Sequence, residues 1–333
     1  MGRPLKVLRL RSFAKVNLGL EVLGTRADGY HELRTIFQTI SLHDDIELRT
    51  HADAIEVRCD HPRVPSDPTN LAHRAAEELR RFAGIAKGVT ITITKRIPVA
   101  AGLGGGSSNA ATVLMGLDRL WRLGLGPARL HPLARRLGAD VPYFLRGGTA
   151  LGLGRGDEVY PLLRQVQAPI VVVDPGRALS TAAVFRRLDQ ALTPRENANS
   201  IFRFVWSRLE GDGDTFPGLS NDLERAALEE DPGLAVPARD IRGILIEGGA
   251  LLASLSGSGA AYFGVFADVG AARRAESALV THGFRAFRGR TLSLDAYRRM
   301  SSRPLPAPKR RGGRGQGRSA HHGDHGRQGH SRG

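Results

Sequence analysis

The chain has 333 residues, 41% of them hydrophobic, with a single cysteine and a net charge of +15. That apolar content supplies a core and excludes wholesale disorder, and the length suits about two domains. The lone Cys59 excludes an intrachain disulfide framework and fits a reducing compartment.

The first elements are four strands followed by a helix. Lys6–Leu10 and Phe13–Val22 read as strands, the second from its alternation of polar and apolar residues. Ile36–Ile40 and Asp45–Thr50 read the same way, with turn residues between them. Thr69–Phe82 predicts a helix, with Leu71, Ala75, Ala76 and Leu79 on one face and Thr69 or Asn70 as its cap. Gly88–Lys95 (GVTITITK) is a β-branched strand. It runs into IPVAAGLGGGSSNAATVLMGL, where Gly102, Gly104, Gly105 and Gly106 crowd five positions. A helix follows to about Trp121, and another spans Pro127–Leu137.

A second region begins beyond Gly148–Gly154, with a boundary in the stretch 155–168. Pro169–Asp174 (PIVVVD) is a buried-strand signal. Helical patterns occupy Thr181–Leu192, Ala198–Glu210, Asn221–Leu228 and Ala238–Gly243. A second glycine-rich segment, Leu255–Gly264 (LSGSGAAYFG), leads through the strand Ala261–Phe266. The helix Ala271–His282 and the strand Phe284–Arg288 close the folded part. The chain divides as 1–160, 161–300 and a tail, 301–333.

About half the positive charge lies in that tail. From Arg303 onward there are 8 Lys/Arg and 1 Asp, a net of +7. The remainder holds 40 basic and 32 acidic residues, a net of +8. The tail is too poor in apolar residues to build a core and reads as a solvated disordered extension. Its one sharper role is an electrostatic arm for nucleic acid or another polyanion. Its histidines, among them His321 and His322, form no ordered metal site. No apolar run approaches the ~20 residues of a membrane span and no signal-peptide core is present. The chain reads as cytoplasmic, with no membrane partner.

The strand–glycine loop–helix stretch is a phosphate cradle in physical terms. Glycine permits positive φ and close approach to backbone. Successive N–H groups and the first turn of the helix attract anions. Ser107, Ser108 and Asn109 add side-chain donors. It is not a Walker A loop, because Ser107 rather than lysine follows Gly106. It also lacks the acidic residue of a dinucleotide fingerprint about 20 residues on. On the residues alone, Asp140 in GADVPYFL is either a helix cap or a base. Lys15 is a solvated strand lysine, Tyr30 is a packed turn residue, and Phe185 is a core residue of a helix.

PVAAGLGGGSSNAA resembles the second motif of the GHMP small-molecule kinases. SFAKVNLGLEVLGTRADGYHEL, TNLAHRAA, LGADVPYFLRGGTALGLGRGD, the STAAVF stretch and LSGSGAAYFGVF are similar, in order, to the branch acting on 4-diphosphocytidyl-2-C-methyl-D-erythritol (CDP-methylerythritol). Together they span residues 12 to 266. The resemblance implies an α+β fold of two domains, ribosomal S5-like then ferredoxin-like, with the site in the cleft between. It implies ATP as co-substrate and Mg²⁺, with transfer of the γ-phosphoryl group to the acceptor's 2-hydroxyl. Asp140 becomes the base and Lys15 its partner. Asn17, Thr181 and Asp140 would contact the acceptor. Tyr30 and Phe185 would sandwich the cytosine, and His31 would hydrogen-bond it. Asn70, Leu71, Lys95, Pro98 and Ala100 would line the nucleotide pocket, followed by the loop Gly102, Leu103, Gly104, Gly105, Gly106, Ser107, Ser108 and Asn109. The resemblance identifies no metal ligand. Ala260 and Ala261 depart from its pattern, which has small hydroxylated residues there. The alternatives are a homoserine- or mevalonate-type kinase, or a nucleic-acid-binding protein with an S5-like domain.

Overall fold

Two long strands organise the first half of the computed structural model, which describes residues 6–190 and 218–306. Strands β1 (Val7–Thr25) and β2 (His31–His51) pair antiparallel along almost their whole length. The sequence reading splits each into two. They are continuous because β2 is also paired on its other edge. Residues Asp45–His51 bond β4 (Gly88–Thr94) and residues Leu33–Gln38 bond β5 (Thr149–Gly154). Second-edge pairing before and after the turn-prone Leu42–Asp44 keeps the strand running through it, and register shifts at Phe13/Lys15 and Asn17/Gly19 absorb the irregularity. Strand β3 (Ile55–Cys59), parallel to β4, and β6 (Glu158–Pro161), antiparallel to β5, complete six strands.

Helices α1 (Leu71–Ala83), α2 (Gly105–Trp121) and α3 (Gly126–Leu137) share a core with this sheet. The side chain of Asn70 caps α1 by accepting from Ala72 N–H at 2.8 Å. Helix α1 buries Ala72, Ala75, Ala76 and Leu79, small enough for α1 and α2 to lie close. The short helix α4 (Val141–Phe144) follows.

The second sheet contains β7 (Pro169–Asp174), β8 (Ala250–Leu255), β9 (Tyr262–Phe266) and β10 (Arg285–Arg290), ordered β10-β7-β9-β8 with every pair antiparallel. Helices α5 (Thr181–Asp189), α6 (Leu223–Glu230), α7 (Ala235–Glu247) and α8 (Val269–Thr281) accompany it. Strand β7 keeps the bounds read from sequence, and its unbroken apolar run has a clear cause. Val171 and Val173 pack into the core with these helices, whereas Ile170 and Val172 pack on the opposite face. That opposite face meets Val16, Leu18, Ile36 and Ile40 of the first sheet, so the two sheets share a buried seam.

The last described helix, α9 (Leu294–Ser302), was not legible in the sequence. It returns to the first sheet, where Tyr297 packs on Phe13 and donates to the Phe144 carbonyl. The helix expected at Ala198–Glu210 and the tail from residue 307 lie outside the described residues. Among the described residues, no helix is long and apolar enough to cross a membrane.

Candidate active site

A cleft of about 560 Å³ opens between the two sheets, and both glycine-rich loops line it. The loops are fastened to each other by one side-chain and one backbone hydrogen bond. Ser256 Oγ donates to Gly102 O at 3.0 Å, and Ala261 N–H donates to Ala101 O at 3.2 Å. Gly102 sits at φ +73°, and a Cβ there would stand 2.0 Å from the Ser256 carbonyl oxygen. Gly104, at φ +67°, caps α2 without a side-chain bond, and a Cβ there would meet Phe144 at 2.9 Å. The first-turn amides of α2 therefore face the cleft with their partial positive charge. Gly105, Gly106 and Ser107 line it there.

Asp44, fully buried, holds this end together. It accepts from the Arg96 and Ile97 amides at 2.8 and 2.9 Å, from Asn109 Nδ2 at 3.0 Å, and from the Lys95 ammonium. Lys95, pinned beside Gly105, and Asn109 thus share one buried anion. Sequence reasoning missed Asp44, because an Asp before a second Asp in LHDDIEL looks like a turn residue. Ser108 does not face the cleft as expected. One helical step from Ser107 turns it inward, where its Oγ accepts from Ser12 Oγ at 2.7 Å. Asn70, Leu71, Pro98, Ala100 and Leu103 all line the cleft. Asn70 is also the cap of α1, so its cap reading is realised at a position that lines the cleft.

Lys15 enters from β1, almost fully buried. Its Nζ donates to Asn17 Oδ1 at 2.6 Å, lies 3.5 Å from Asp140 Oδ2, and sits 5.7 Å from the Phe37 ring centroid. Asn17, two residues along the strand on the same face, is steadied by its Nδ2 bond to Thr35 Oγ1 at 2.8 Å. Asp140 precedes α4 but makes no capping bond, and its side chain is 32% exposed. The helix-cap reading of Asp140 is therefore not realised. Tyr143 anchors α4, with its hydroxyl donating to Gly148 O at 2.7 Å and lying 2.6 Å from Thr39 Oγ1. Burial keeps this phenol's pKa well above its usual value, so it stays a neutral donor.

The far end of the cleft is built from side chains. Ser180 caps α5, and Thr181 Oγ1 lies 2.8 Å from Ser258 Oγ of the second glycine loop. Phe185, one turn further, lines the cleft but stacks on His31, with centroids 4.6 Å apart and planes at 30°. His31 Nε2 lies 2.6 Å from Asp189 Oδ1. Tyr30, 53% exposed, is outside the cleft lining and lies under the Arg155 guanidinium, 4.7 Å from its ring centroid. The structure thus brings Lys15, Asn17, Asp140, Thr181 and Phe185 together, and pairs Phe185 with His31 rather than with Tyr30. Arg155 lines the cleft and has no precedent in the sequence reading.

Comparison with known proteins follows the same lines. The family model described as "GHMP kinases N terminal domain" matches residues 70–148. A 4-diphosphocytidyl-2-C-methyl-D-erythritol kinase of Chlorobium chlorochromatii is 41% identical over 263 residues, 78% of this chain and 89% of that protein. The enzyme of the same name from Alkaliphilus metalliredigens is 42% identical, covering 81% and 92%. A crystal structure of 4-(cytidine 5'-diphospho)-2C-methyl-D-erythritol kinase superposes with a TM-score of 0.69 at 37% identity, over 85% of this chain and 99% of the other. The homoserine kinase of Cytophaga hutchinsonii gives a TM-score of 0.61 at 18% identity, over 88% and 96%, a likeness of fold alone.

Proposed function

As the chain belongs to the 4-diphosphocytidyl-2-C-methyl-D-erythritol kinases of the GHMP group, we propose that its cleft seats ATP along the glycine loop and the cytidylyl acceptor along Thr181 and Phe185. The reaction is ATP-dependent phosphorylation of the 2-hydroxyl of CDP-methylerythritol, in the non-mevalonate route to isoprenoid precursors. The observation that carries the site assignment is the Lys15–Asp140 pair at 3.5 Å, beside the mouth of the anion-binding loop.

The chemistry divides among few residues. The α2 amides and Lys95 hold the β- and γ-phosphates, and Asn70 and Leu71 flank the nucleotide's base and sugar. Asn17 and Asp140 orient the acceptor hydroxyl in line with the γ-phosphorus. The 2-oxygen forms the new O–P bond while the bridge to the β-phosphate breaks. The hydroxyl proton passes to an Asp140 carboxylate oxygen, and the displaced negative charge leaves on ADP. Lys15 offsets negative charge on the transferring group. His31 and Phe185 present a π-face and a ring nitrogen to the cytosine, with Tyr30 at the rim.

Mg²⁺ suits this donor set as a companion of the nucleotide. Ser107 and Asp140 are among the oxygen-bearing residues that line the cleft, and the described residues contain no cluster of three or more His, Cys, Asp or Glu. Mg²⁺ keeps several waters and takes most other ligands from phosphate, and when bound it neutralises triphosphate charge. We divide the chain near residues 160/161, with α9 docked back on the first unit, and place the reaction in the cytoplasm, where ATP is supplied.

The product tests the reading. Phosphorus NMR of the turnover mixture is expected to show a new phosphomonoester on the 2-oxygen of the methylerythritol unit with an intact cytidine diphosphate. A phosphate on any other oxygen, or cleavage of the diphosphate, would contradict the placement of Asp140.

A further inference from the structure

Building on that reading of the cleft, we propose that Arg155 binds the diphosphate of the acceptor and so sets the preference for a cytidine diphosphate-linked substrate. Arg155 stands in the turn between β5 and β6 and lines the cleft at the acceptor end. Its place along the cleft follows from its neighbours. On one side its guanidinium covers Tyr30 at 4.7 Å. On the other, a Cβ on the adjacent Gly156 would lie 3.5 Å from the tip of Phe37, and Phe37 lies beneath Lys15 Nζ. Arg155 therefore sits between the aromatic end and the phosphoryl-transfer end. A diphosphate joining cytidine to methylerythritol must cross that interval.

The charge arrangement favours the same assignment. Three cations line the cleft, each with a carboxylate partner, and they differ in how much donor capacity that partner takes. Lys95 is paired with the buried Asp44, and Lys15 faces Asp140 and Asn17. Arg155 donates one Nη2 bond to Asp157 Oδ2 at 2.9 Å. Asp157 Oδ2 also accepts from Arg135 Nε at 2.8 Å, so one carboxylate serves two guanidiniums and the cluster keeps a net positive charge. Burial pushes the Asp157 carboxyl up, but the two arginine bonds outweigh it and hold the group below its usual 3.8. The anchor is thus ionised at neutral pH. It is lost only as pH falls through that depressed value. The neighbouring Asp28 bonds Arg26 at 3.3 Å, and because Arg26 is shared with Glu32, Asp28 also draws on Arg155 at its outer side. Arg155 lines the cleft with one donor engaged, and its Nε and Nη1 remain. Here they carry no hydrogen bond among the described residues, and a guanidinium matches paired phosphate oxygens.

The test compares CDP with cytidine as competitors of the acceptor on the full chain, in wild-type protein and in Arg155→Gln and Arg155→Lys. Wild type should bind CDP at least ~10-fold more tightly than cytidine, the scale of a charge-assisted hydrogen bond. Arg155→Gln should remove most of that advantage, leave the cytidine inhibition constant within ~2-fold, and leave KM for ATP unchanged. Arg155→Lys should restore part of it. Equal loss for CDP and cytidine would overturn the proposal in favour of a structural or base-contacting role, and an unchanged ratio would overturn it outright. CDP no better than cytidine on wild type would overturn the proposal and leave the kinase assignment standing. Competition by neither would overturn the cytidylyl reading as well.

Discussion

The two ends of the cleft are built by different means. The end proposed for the nucleotide is mostly backbone: two glycine loops are bonded to each other, the bare first turn of α2 faces the cleft, and a buried aspartate gathers the surrounding donors. The acceptor end is side chain: Phe185 lies against His31 and Arg155 lies over Tyr30, each drawn from a separate element. A phosphate chain is common to every ATP-dependent relative, so one rigid cradle suffices. An acceptor must be told from others, and that takes groups whose positions depend on tertiary packing.

The largest expected effect falls where the ends meet. Asp140→Asn should lower kcat by more than ~100-fold, the usual contribution of a positioned base, while ATP binding measured by calorimetry stays near wild type. Turnover within a few-fold of wild type would remove the carboxylate from the chemistry. Next comes the cradle itself. Gly102→Ala puts a side chain at positive φ against the Ser256 carbonyl, and should cost at least ~2 kcal/mol of stability in denaturant unfolding. Wild-type stability would show that the two loops are not locked together.

Asp44→Asn should raise KM for ATP by roughly 10-fold or more, since a charged bond to Lys95 is lost in a buried site. KM for the acceptor should move little. Equal movement of both constants would mean that Asp44 serves the fold rather than the nucleotide end. The smallest effect belongs to the aromatic end. Phe185→Ala should raise acceptor KM about 10-fold, in line with one lost base-stacking contact, and spare KM for ATP. No change would place Phe185 in the core with the α5 helix.

The same division explains what the sequence disclosed. Glycine density next to a helix pattern is a local signal, so the cradle, β7 and α2 were readable. Lys15 and Asn17 were readable as a same-face pair by strand period. Asp44 was not, because its four donors come from Lys95 to Asn109, far along the chain. Arg155 was not, since GLGRGD has no periodic signal and its meaning comes from Tyr30 and Phe37. Strands β1 and β2 were broken at residues that look like turns until pairing on both edges of β2 is seen. Helix α9 gains its place from a single buried Tyr297 docked across the molecule.

ADP release in the presence of Mg·ATP, compared among CDP-methylerythritol, homoserine and mevalonate, tests the two-ended cleft most directly. Release that depends on CDP-methylerythritol is the predicted result. Comparable turnover of homoserine or mevalonate would show that the acceptor end does not discriminate and would contradict it.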